Sequence, residues 1–439
     1  MKNIKVYSVY IIYALLLLLL NLGGISRTDT LNLISVYSGL FLAYVLVSNY
    51  EFNLKRILLM GLLLRLFMFV QVPILSDDYY RFYWDGALSN QVQSVYRSTP
   101  KEIIENDKEP GLEKVYDKLN SKVYYSIYPV INQSIFEFAY YFSDGIISGF
   151  VTTMRVLQLM VESLIVLFLY YLLLQFNLSI NKLSYYIFNP LVIIEFIGNL
   201  HLESWMVLSL LGFLYFLSNK RSLYASLMLV LGVCAKLLPL MFLPITLRYL
   251  GWRKGLLYSS IVILLSALLI GLYLPSYEVI NFMESIDLYF RSFEFNASIF
   301  FVIRWLGFQL KGYDIIQSAG PIMSILSLLL ILALSYYKVK NGEHLVKTIK
   351  RIALMLLVYL LMASIVHPWY VIALLPLCIL SEYKFGIVWT YLAFLSYTAY
   401  QVEGVIEKNW IIALEYLLLI IIVLVDLKVF RPLDRHSHS

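Results

Sequence analysis

Hydrophobic residues fall in long uninterrupted runs, broken by short polar or charged stretches, along the whole 439-residue chain. The first three runs, about 6–23, 31–48 and 57–75, are each long enough for a helix to cross a bilayer. A polar segment of about fifty residues follows, too long to be a simple turn between spans. Residues 130–142 are apolar but too short to span, which predicts an interfacial or re-entrant helix. Beyond a long run at 151–176 come two pairs of short apolar segments, 185–199 with 205–217 and 223–235 with 237–247. Their turns carry Gly198-Asn199-Leu200-His201 and Lys236-Leu237-Leu238-Pro239. Such polar breaks are tolerable at membrane depth only where they line a watery cavity. Runs at 256–274, 322–337, 352–366, 371–380, 385–400 and 410–430 complete the pattern, with a second polar segment at 275–318. The pattern predicts an all-α polytopic membrane protein of about 12–14 helices, a single integral membrane domain over 1–439.

Composition agrees and excludes a large soluble globule, since 61% of residues are hydrophobic and only 14% charged. The 37 tyrosines suit the belts at the two water interfaces. A net charge of +6 needs no nucleic acid to explain it, because cytoplasmic loops of membrane proteins are enriched in Lys and Arg. Those clusters also set an orientation. Lys2 and Lys5, Lys55 and Arg56, Lys220 and Arg221, Arg248 to Lys254, Lys338 to Arg351, and Arg431 with Arg435 all fall at one end of the predicted spans. Both termini are therefore expected in the cytoplasm, with 76–128 and 275–318 as the first and second extracytoplasmic loops. The first run is read as a span and not as a removed signal peptide. Cys234 and Cys378 lie in apolar runs and read as inert small hydrophobes. The tail with His436 and His438 reads as a disordered end.

The chemistry gathers on the opposite side from the basic clusters. Leu-Ser-Asp-Asp-Tyr-Tyr-Arg-Phe-Tyr-Trp-Asp-Gly, residues 75–86, emerges directly from the third run. Ser76 can cap a helix whose first turn holds Asp77 and Asp78, where the helix dipole favours acids. Arg81 then lies within helical reach of both acids and of Asp85. The plain reading of this stretch is an ion-paired interfacial helix. The same side also receives His201, Glu203, Lys236, Arg291 and His367, each of which alone could be an ordinary interfacial or snorkelling residue. Together they make a chamber suited to a general base and an electrostatic clamp for an anion. A transporter or flippase for a lipid-linked or anionic solute is the alternative, because broken spans also mark transport sites. Internal repetition, which such transporters show, is not evident.

The motif Ser-Asp-Asp-Tyr-x-Arg-x-x-Trp-Asp-Gly resembles that of GT-C membrane glycosyltransferases, which take sugars from polyprenyl-phosphate carriers. The resemblance runs in order through Tyr128-Pro129, Asn189-Pro190, His201-x-Glu203, Lys236-Leu237-x-Pro239, Asn296-Ala-Ser-Ile and His367-Pro368-Trp369-Tyr370. It is nearest to bacterial polyprenol-phosphate-mannose-dependent mannosyltransferases. Two features depart from that pattern. The acids follow a third span where many relatives carry them after the first, and Ala87 to Tyr96 replaces a Gly-x-Asn-Pro-Tyr turn.

The resemblance implies a GT-C-like helix bundle in the bacterial inner (plasma) membrane. It implies transfer of a hexose, mannose by this likeness, to a lipid or glycan acceptor on the extracytoplasmic face, with inversion. Asp77 or Asp78 would be the catalytic base. Arg81, Asp85, Tyr128, His201, Glu203, Lys236, His367, Trp369 and Tyr370 would contact or frame the substrates. Some members hold a divalent metal at the acidic pair, a question this sequence leaves open.

Overall fold

The computed structural model describes residues 2–106, 112–291, 293–337 and 345–428. The predicted tail histidines, His436 and His438, and the side chain of Arg291 lie outside what it describes. The chain is an all-α membrane protein. Among the described residues six helices are long and apolar enough to cross a membrane: Lys5–Leu22, Thr30–Ser48, Ile147–Gln175, Trp252–Tyr273, Ile316–Tyr336 and Asn409–Asp426. The helices Pro190–Gly198 and Glu203–Ser218 form an apolar pair bent by 118° at the break between them. Shorter apolar helices, among them Ser222–Ala235 and Pro368–Ser381, pack between these spans.

The predicted third span is broken. Its helix covers only Leu54–Leu66 and gives way to a 3-10 turn, Phe67–Val70, and then to extended backbone at Gln71. Pro73 keeps the helix from resuming, because it has no N–H to donate and pushes Val72 out of the helical region. Within the helix Arg65 is buried, hydrogen-bonded to the Glu162 carboxylate and to the Ile187 carbonyl at 2.8 Å. Two opposite charges are thus removed from lipid together.

The first polar segment folds as a small layer of its own over one end of the bundle. Its principal helix is Asp78–Asn90, followed by short helices Pro100–Asn106 and Glu113–Tyr116. Thr99 and Glu102 cap the second of these reciprocally, the Thr99 N–H donating to Glu102 at 2.8 Å and the Glu102 N–H to the Thr99 hydroxyl at 3.3 Å. The amphipathic helix Val130–Tyr141 lies beneath, with Phe82 and Phe136 stacked at 4.6 Å between centroids. Gly86 makes that approach possible, since a Cβ there would stand 2.4 Å from the Phe136 carbonyl oxygen. Residues 275–318 supply two more helices, Val279–Arg291 and Ile299–Lys311. Between them Phe295 bridges to Ile365, tying this segment to the chain just before His367.

Candidate functional site

Asp77 and Asp78 stand where the broken third segment meets the Asp78–Asn90 helix, and they part immediately. Asp77 occupies the N-cap position and pairs with Arg27, from the loop between the first two spans. Asp78 opens the helix, its N–H donating to the Ser76 hydroxyl at 3.3 Å. Its Oδ1 accepts from the Asn120 amide at 2.8 Å, and its Oδ2 faces His201 Nε2 at 3.6 Å. Burial pushes the Asp78 carboxyl up, but the His201 ring and the Asn120 amide outweigh it and hold the group below its ordinary value. Asp78 is therefore ionised at neutral pH, and its side chain is 26% exposed.

His201 reaches Asp78 because the chain is broken beside it, between Pro190–Gly198 and Glu203–Ser218. Residues Ile193–Gly198 wind as a π-helix and Leu200 is left-handed, with φ of 68°. The carbonyls this exposes are met by buried side chains. Arg155 Nε donates to the Ile197 carbonyl at 2.9 Å, and Gln158 Nε2 to the His201 carbonyl at 2.7 Å. Irregular backbone at depth is sustained by such partners.

Three rings then stack in a row. His201 lies on Trp369 at 3.6 Å, and His367 lies on Trp369 at 4.3 Å with an interplanar angle of 8°. The His367 Nδ1 atom is buried without a hydrogen-bond partner, a donor or acceptor still to be used. Lys236 completes the group from the break after Ser222–Ala235. Its Nζ is 2.8 Å from Glu203 and 3.5 Å above the Tyr370 ring.

The structure thus brings Asp77, Asp78, His201, Glu203, Lys236, His367, Trp369 and Tyr370 into one cluster. Arg81, Asp85 and Tyr128 sit elsewhere, in the interior of the loop layer. Arg81, expected to contact or frame the substrates, instead bonds Asp85 at 2.7 Å and the carbonyls of Ser121 and Tyr124 at 3.1 and 3.0 Å. Asp85, expected at the substrate, is fully buried and accepts from Ser126 at 2.6 Å and Gln133 at 3.0 Å. The Tyr128 carbonyl takes the Tyr96 hydroxyl at 2.5 Å, and its ring packs edge-on against Phe82. Asp85 wins over Asp77 and Asp78 because it is buried with Arg81 on the same helix face, whereas Asp77 is partly exposed and paired with Arg27.

Three residues of the site escaped sequence reasoning: Arg27, Asn120 and Glu195. Arg27 could have been found as a lone arginine on the side opposite the basic clusters, and Glu195 as an acid inside an apolar run. Nothing in the sequence singles out Asn120. No group of three or more His, Cys, Asp and Glu side chains among the described residues is placed to hold a metal ion. The Arg27 guanidinium takes the position at Asp77 that a cation would want.

Neither curated proteins nor solved structures give a match to this chain. A family model does, across more than half of the chain. It is that of the MptA/B family, alpha-(1->6)-mannopyranosyltransferase, N-terminal domain, and it matches residues 20–251. That stretch contains Asp77, Asp78, Glu195, His201, Glu203 and Lys236, with His367 and Trp369 contributed from beyond it. The chain belongs to this family and is a membrane mannosyltransferase, an enzyme that joins a sugar donor to an acceptor.

Proposed function

We propose that the enzyme transfers mannose from a polyprenyl-phosphate carrier to a hydroxyl of a lipid or glycan acceptor. The reaction takes place on the extracytoplasmic face of a bacterial inner membrane, both termini being cytoplasmic. The observation that carries this reading is Asp78, an ionised, partly exposed carboxylate at the mouth of the bundle with His201 behind it. Asp78 accepts the proton of the acceptor hydroxyl while that oxygen attacks the anomeric carbon from the side opposite the phosphate. The bond from carbon to phosphate oxygen breaks, and its electrons leave with the phosphate. Inversion yields an α-mannoside from a β-linked donor, in keeping with the linkage in the family's description. Lys236 and the unpartnered Nδ1 of His367 hold the leaving phosphate. The test is incubation of the purified protein with polyprenyl-phosphate-linked mannose, glucose and arabinose and a membrane-extract acceptor. Mannose alone should be consumed; an inert mannose donor beside a consumed glucose or arabinose donor overturns the assignment.

A further inference from the structure

Glu195 has no part in the reaction just described, yet its placement is among the most constrained in the molecule. Its side chain is wholly buried, on the π-helical turn Ile193–Gly198. Oε1 accepts from the Tyr397 hydroxyl at 2.9 Å. Oε2 accepts from the Asn199 amide at 3.0 Å and meets His201 Nδ1 at 2.9 Å. The backbone repeats the link, the His201 N–H donating to the Glu195 carbonyl at 2.9 Å. A fully buried carboxylate is costly unless a cation or several donors face it. Tyr397 and Asn199 are neutral donors, so His201 is the group here able to supply the balancing charge.

The far side of the ring has the complementary demand. His201 Nε2 lies 3.6 Å from Asp78 Oδ2 and 3.4 Å from the Ser76 hydroxyl. An imidazole with a carboxylate at each nitrogen is held best with both nitrogens protonated. The other charged or titratable groups packed around it are few. Trp369 covers one face of the ring, with His367 on its far side and Lys236 beyond, over Tyr370. Neither His367 nor Lys236 hydrogen-bonds the His201 ring, so neither competes with the two carboxylates.

We propose that Glu195 is a positioning residue for the transfer reaction, holding the proton on His201 Nδ1 so that a charged ring keeps Asp78 ionised and aimed. The proposal rests on the reading of Asp78 as the base. It has a definite chemical consequence. The acceptor's proton ends on Asp78 and is not handed to His201, which already carries both of its own. His201 therefore acts as a fixed cation, not as a shuttle.

The test uses the full-length enzyme and its Glu195→Gln variant, which keeps the shape and removes the charge. An opposite charge at this range moves a titration by about 1–3 pH units. The alkaline limb of the pH–rate profile should therefore shift down by about that much, with kcat falling more than donor KM rises. Nitrogen NMR of labelled histidine gives a readout that needs no substrate. The five histidines are few enough for His201 to be assigned by difference from His201→Gln. At pH 7.5 the wild-type His201 should show two protonated nitrogens, and Glu195→Gln should show one. A neutral His201 in the wild-type chain overturns the proposal even if the variant fails to fold. So do an unmoved alkaline limb and an unchanged signal in Glu195→Gln. Failure of the mannose donor to react sinks the donor reading instead, and the NMR result then stands or falls separately.

Discussion

Replacing Asp78 by Asn tests the centre of the proposed reaction, and the structure fixes what each outcome means. Asn keeps an oxygen for the Asn120 amide at 2.8 Å and fills the same space, so the helix start should survive. Two things are lost. The first is the proton acceptor, which a positioned base supplies at roughly 10²–10⁴-fold in rate, or about 3–5 kcal/mol in barrier. The second is the attraction to His201 across 3.6 Å. For two unit charges near this distance that is worth about 1 kcal/mol in water and about 4 near a protein surface, and partial exposure favours the low end. The barrier effect is therefore the larger, and it falls on kcat. Asp77→Asn is the internal comparison. Its pair with Arg27 is about one-third exposed on both sides, so solvent screens it to about 0–1 kcal/mol, less than tenfold in rate. Transfer from a radiolabelled mannose donor, with kcat and donor KM measured separately, distinguishes the two. A larger loss in Asp77→Asn would make Asp77 the base. Near-native transfer in both variants would falsify the acid pair as the reacting group.

Other regions yield further expectations. Lys236→Ala should weaken donor use by about 1.5–3 kcal/mol, the scale of a lost hydrogen bond to a charged group, seen as a raised donor KM; an unchanged KM would return Lys236 to its pairing with Glu203 alone. Asp85→Ala leaves the Arg81 guanidinium buried and unpaired, so thermal unfolding should show a loss of about 3–5 kcal/mol, and a loss under 1 would contradict the locking role. Cysteines placed at Val92 and Glu284, both exposed, should react with an impermeant thiol reagent in intact cells, whereas one at exposed Asn219 should not. The buried Cys234 and Cys378 give no background, and the reverse labelling pattern would invert the orientation. Burial pushes the Glu407 carboxyl up to about 7 against the Asn296 N–H, so stability is fullest below its ordinary 4.5 and falls as pH rises through 7. Glu407→Gln should flatten that decline in unfolding temperature between pH 5 and 8, and an identical slope would remove Glu407 as its source.

Long apolar runs made the membrane class and most spans readable, because a bilayer imposes length and composition on any helix that crosses it. The break at His201 was readable for the same reason, since a polar turn at depth has to have a purpose. The third segment misled because its apolar composition continues through Pro73, and composition cannot show where the helix stops. The role of Arg81 misled for a different reason. Helical spacing allowed Asp77, Asp78 and Asp85 equally, and only the packing of 121–133 against one face chose Asp85. Arg27 and Asn120 lie about fifty and forty residues from the acids they touch. No local pattern connects residues at that separation.

The charges of the chamber bear on where the substrates must lie. Arg27 stands with Asp77, Lys236 with Glu203, and His201 with Glu195. Each of these three cations has a carboxylate of its own, and Asp78 is left as the surplus, sharing His201 and leaning on a neutral amide. In the proposed reaction positive charge develops at the anomeric carbon and negative charge on the departing phosphate. The surplus carboxylate favours the first of these, and a preorganised charge aimed at the transition state lowers the barrier without rearrangement. It also repels the second. On the proposed reading the phosphate lies beside Lys236 and the His367 Nδ1, while Asp78 faces the anomeric carbon. On that reading Lys236 shares its charge with Glu203 and would hold the phosphate less tightly than a free lysine. That suits a leaving group, which has to be released on its lipid carrier before the next donor can enter.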